Sequence, residues 1–131
     1  MTRSVVALAL VAAALCGCGR SGDRQTVRGV AVQFYAAAER HDGARACALL
    51  STDTRKALEE QESESCERAV EHLDLTGGPV GSVSVYSTNA AVELRGGDTV
   101  FLQATKEGWR IAAAGCRPAG HEEPADCDLE A

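Results

Sequence analysis

The hydrophobic period changes at Thr76-Gly77-Gly78-Pro79, and that change constrains the fold more than any other feature. Before it, apolar side chains recur every three or four residues; after it, every second residue. Those are the spacings of helix and strand, and Gly-Gly-Pro suits the interior of neither. On the helical side, Val27, Val30, Ala31, Phe34 and Ala38 form one stripe of a helix predicted over 24–40. Asp23 can cap its start and Asp42-Gly43 can stop it. Shorter helices are expected over 44–50, 53–60 and 66–73, the second of them opened by Ser51 or Thr52. On the other side four strands are expected. Their inward residues are Val83 and Val85; then Ala90, Val92 and Leu94; then Val100, Leu102 and Ala104; then Trp109, Ile111 and Ala113. Turns at Thr88-Asn89, Gly96-Gly97 and Lys106-Glu107-Gly108 are short, which makes neighbouring strands antiparallel. From Gly115 onward the chain reads as a loop. The expected class is α+β, with N-terminal helices packed on one face of a curved four-stranded antiparallel sheet.

The first residues carry a different signal. Arg3 precedes an unbroken apolar run from Val5 to Leu15, eleven residues where a membrane-spanning helix needs about 20. A basic start, a short apolar core and small residues before a break describe a secretory signal peptide. Leu15-Cys16-Gly17-Cys18 resembles the lipobox of bacterial lipoproteins, with the branched residue at −3 and small residues ahead of the cysteine. The resemblance implies a signal peptide over 1–17, acylation of Cys18, a lipidated tether over 18–25 and a domain over 26–131. It also implies residence on the outer face of a bacterial cytoplasmic membrane, with the lipid on Cys18 as the membrane contact. Arg20, Arg24 and Arg28 follow closely, where they could meet anionic headgroups or simply be solvated.

Removal of the first 17 residues leaves 114 of the 131, one small domain with a single core. Loss of Arg3 alone takes the net charge from −6 to −7. So acidic a chain argues against a nucleic-acid partner, which needs concentrated Lys and Arg. Four cysteines remain in the domain: Cys47, Cys66, Cys116 and Cys127. An even number in an exported small domain reads as two disulfides, and three pairings are open. Joining nearest neighbours, 47 with 66 and 116 with 127, closes loops of twenty and twelve residues. Each would contribute about 3 kcal/mol on the chain-entropy model. No C-x-x-C spacing survives in the domain, which removes the usual thioredoxin and zinc-knuckle motifs.

Gly108-Trp109-Arg110-Ile111 running into Ala114-Gly115-Cys116-Arg117-Pro118, with Cys47 set in Ala46-Cys47-Ala48-Leu49-Leu50, resembles small actinobacterial lipoproteins of the NTF2-like superfamily. The resemblance implies the cystatin-like cone, a long helix and short helices against a curved sheet. Arginine outnumbering lysine eleven to two fits a GC-rich genome of that kind. Most members of the group have no assigned biochemical function.

Enzymes of that superfamily work in the mouth of the cone with inward Asp, His or Tyr side chains. Here none of the expected inward strand residues can move a proton, and the opposite face offers only Glu93 and Tyr86. His41 sits at a helix end, where a cation suits the helix dipole and a structural role is expected, and His72, near Glu71 and Asp74, reads as solvated. His121-Glu122-Glu123 has no metal-ligand spacing and reads as a solvated acidic loop, so no metal or cofactor is expected. Tyr35 and Trp109 are the candidate pocket walls; equally they can be core. The expectation is a non-catalytic binding or interaction module, taking a small apolar ligand in the cone or a surface protein partner. The alternative is an NTF2-like isomerase or dehydratase with a degenerate site.

Overall fold

The computed structural model describes residues 20–117 and 126–131. Helix α1 (Arg20–Glu39) is followed by α2 (Gly43–Ala48), α3 (Thr52–Glu62), α4 (Cys66–Ala69) and a 3-10 turn, Val70–His72. Five strands then run β1 (Val80–Tyr86), β2 (Asn89–Leu94), β3 (Thr99–Thr105), β4 (Gly108–Arg117) and β5 (Asp126–Glu130). They form one open antiparallel sheet in chain order. The α+β class and the division at 76–79 stand as expected. The count of four strands does not: the tail read as loop from Gly115 continues β4 and then returns as β5.

The helix starts follow local chemistry. Asp42 accepts a bond from the Arg45 N–H at 3.2 Å and Ser51 accepts one from the Thr54 N–H at 3.2 Å, so each helix begins at its cap. The Thr54 hydroxyl gives its single proton to the Ala112 carbonyl at 2.9 Å. The Ser51 hydroxyl, 2.7 Å away, is therefore the donor in their mutual contact. This small polar chain ties α3 to β4. Beside it Leu49 and Ser51 bond the backbone of Ile111, so the α2–α3 connection covers the first half of the β4 edge. The second half is covered by β5.

The side chains of Val27, Val30, Ala31, Phe34 and Ala37 are buried along α1, against Val92, Val100, Leu102 and Ile111 of the sheet. Leu58 and Leu129 are fully buried in the same core. Three of the expected inward positions behave otherwise: Ala104 is exposed, and Val83 and Val85 of edge strand β1 are only half-buried. The simple alternation of β4 also breaks. Register shifts opposite Phe101 mark bulges, and Gly115 takes a left-handed φ of 66° in the second. The bulge lets Ala113, Ala114 and Cys116 all be buried.

Both disulfides join nearest neighbours. Cys47–Cys66 clamps α2 to α4, and Cys116–Cys127 joins directly opposed residues of β4 and β5. Each of those two helices is under eight residues, too short to persist without packing. The expected lipobox, the acidic stretch 121–123 and the whole of the expected signal segment, 1–17, lie outside the described residues. Of the expected tether over 18–25, Arg20 to Gln25 are helical, because α1 begins at Arg20.

Candidate functional site

The two side chains singled out as pocket walls, Tyr35 and Trp109, both contact α1 or lie on it, but not together. Tyr35 projects from the C-terminal half of the helix on the buried side, its ring edge-on to Phe34 at 5.5 Å. Its hydroxyl donates to Asp98 Oδ2 at 3.0 Å and accepts from the Gly115 N–H at 3.3 Å. The same Asp98 oxygen accepts from the Thr76 N–H at 2.8 Å.

Asp98 was not foreseen. In the sequence it follows Gly96-Gly97 and reads as a turn residue; in the structure it is 3% exposed, the only buried carboxylate among the described residues. Leu94 and Asp98 close the β2–β3 hairpin, with the Leu94 N–H donating to the Asp98 carbonyl at 3.0 Å. The Asp98 N–H in turn donates to the Thr76 carbonyl at 2.9 Å, so the hairpin end and the connection into β1 are locked together. Gly97 permits that approach, since a Cβ there would lie 2.5 Å from the Thr76 carbonyl oxygen. Four parts of the chain thus meet at one carboxylate: α1, the connection before β1, the hairpin and, through Tyr35, β4. Burial pushes the Tyr35 phenol well above the ordinary tyrosine range, the charge and hydrogen bond of Asp98 push the same way, and the Gly115 N–H partly offsets them.

Trp109 lies at the opposite end of the helix. Its indole Nε1 donates to Asp23 Oδ1 at 3.2 Å, and the ring is 7% exposed. Twelve residues separate Asp23 from Tyr35, about 18 Å along a helix. The structure therefore does not bring Tyr35 and Trp109 to one pocket. Tyr35 borders two small hollows of about 150 and 170 Å3, the first beside Val70 and Leu73 and the second beside Val32 and Leu94.

Two larger concavities occur elsewhere. One, about 790 Å3, is an open groove between the first turns of α1 and edge strand β1, with Arg24, Gln25 and Arg28 facing Val80, Ser82 and Val83. The other, about 500 Å3, lies between the α2–α3 connection and the β3–β4 hairpin and is lined by mixed charge, including Asp53, Arg55, Glu107 and Arg110. Arg55 is engaged with Glu59 and Glu67 at 3.4 Å each, and Arg110 donates to the Trp109 carbonyl at 2.9 Å. Among the described residues no group of three His, Cys, Asp or Glu side chains is placed to hold a metal ion. Nor is any described helix long and apolar enough to cross a membrane.

No family model, curated protein or solved structure matches this chain.

Proposed function

We propose that this chain is an exported lipoprotein, held on the outer face of the membrane by lipid on Cys18, whose folded domain is a non-catalytic binding or interaction module of NTF2-like cone type. The observation that carries the non-catalytic part is the commitment of Asp98. Its bonds go to the Tyr35 hydroxyl and the Thr76 N–H, which hold the fold together, and it borders none of the four concavities described above. An acid–base catalyst must instead reach a substrate proton from a cavity. The exported setting is supported by the two disulfides, which persist in oxidising compartments. The separation of Tyr35 from Trp109 favours a partner at the outer surface over an apolar ligand inside the cone.

The isomerase or dehydratase alternative would have to draw on the Tyr35–Asp98 pair, because it is the one buried phenol–carboxylate contact among the described residues. Metabolic labelling with a fatty-acid analogue tests the anchor: wild type takes up label and Cys18→Ala does not. Equal labelling of both chains, or an unlabelled wild type, overturns it.

A further inference from the structure

We infer that the groove between α1 and β1 is the face on which the domain lies against anionic phospholipid headgroups. Ser21, Arg24, Gln25 and Arg28 fall at i, i+3, i+4 and i+7, one stripe of a helix, and that stripe forms one wall. Both arginines are exposed, and no ion pair to either is formed among the described residues. The opposite wall supplies half-buried Val80 and Val83, apolar surface at the level where glycerol and the first acyl carbons would lie. Ser82 on that wall donates to Glu93 Oε2 at 2.9 Å, and Asp23, beside Arg24, accepts from the Trp109 indole.

Two observations select a bilayer as the occupant. One is charge: two unpaired cations stand together on a chain of net charge −6. The other is reach. Three residues separate Ser21 from Cys18, and a chain that short spans at most roughly 10 Å whatever its conformation. A helix starting so close to the acylated residue leaves no stalk, so its first turns must lie at the headgroup layer. This setting rests on the lipoprotein reading above, but the contact can be measured without the lipid.

The test uses residues 18–131 with Cys18→Ser, which retains every described residue of the fold. It is sedimented with vesicles of phosphatidylcholine, with and without phosphatidylglycerol. Binding to the anionic vesicles alone is expected, weakening as salt rises. An exposed basic residue near such a surface strengthens binding by about fivefold, so Arg24→Gln with Arg28→Gln should weaken it roughly twenty-fivefold. Arg55→Gln, on α3, should change nothing, and circular dichroism should show all variants folded. Binding to neither vesicle, equal binding to both, or an unaffected double variant overturns the inference. So does displacement by free glycerol phosphate, which would make the groove a small-anion site. Failure here leaves fatty-acid labelling of Cys18 intact, and failure of the labelling leaves this binding intact.

Discussion

The two ends of α1 are held by the same kind of bond, an aromatic donor to a carboxylate, in opposite surroundings. At the C-terminal end Tyr35 donates to an Asp98 that is almost wholly out of water and also receives the Thr76 N–H. At the N-terminal end Trp109 donates to Asp23, which is only half-buried and lies one residue from the exposed Arg24. A buried charged acceptor must have its partners, because leaving them unpaired costs their full desolvation. A half-buried one can exchange a lost partner for water. The C-terminal end is therefore the part of the molecule that sets its architecture, while the N-terminal end keeps free surface for contact.

That contrast can be broken at the sealed end first. Asp98→Ala should cost about 3 kcal/mol in a urea titration, since the Tyr35 hydroxyl and the Thr76 N–H lose a charged acceptor together. A loss under about 1 kcal/mol would mean that water replaces the carboxylate and that the knot is not sealed.

Tyr35→Phe should cost less, about 1.5 kcal/mol, and should change the pH dependence. Because the folded phenol titrates above its unfolded value of about 10, its contribution is complete below that pH and is lost as pH rises through the folded value. Wild-type stability should accordingly fall above about pH 10, by up to roughly 1.4 kcal/mol per unit, and Tyr35→Phe should lack that component. Parallel alkaline curves for the two chains would contradict the burial of this hydroxyl.

The open end should respond least. Asp23→Ala removes one acceptor from the Trp109 indole, and water can take its place, so about 0.5 kcal/mol is expected. Fluorescence of Trp109, the only tryptophan, should shift to the red as water reaches the indole. A destabilisation as large as that of Asp98→Ala would erase the difference between the two ends.

Much of the architecture was legible because its signals are local. The period change at 76–79, the helix stop at Asp42-Gly43, the helix start at Ser51 or Thr52, and the alternation through β2 depend on residues within a few positions of one another. Strand β5 was not legible, and the tail from Gly115 reads as loop. Cys127 and Leu129 do alternate with Asp126, Asp128 and Glu130, but with a single large apolar residue, after a stretch rich in Pro and Gly. What makes it a strand is the β4 edge and the buried place that Leu129 fills.

The sequence by itself determined the order of helices before strands, the even set of domain cysteines and the acidic balance of the chain. Tertiary structure alone decided that Asp98 is interior, that Tyr35 and Trp109 stand a helix-length apart, and that exposed Arg24 and Arg28 stand across an open groove from an edge strand. Each of these joins residues more than fifty positions apart. Helix caps and strand alternation arise from backbone geometry over one or two turns, whereas burial of a turn carboxylate depends on which distant helix packs across it.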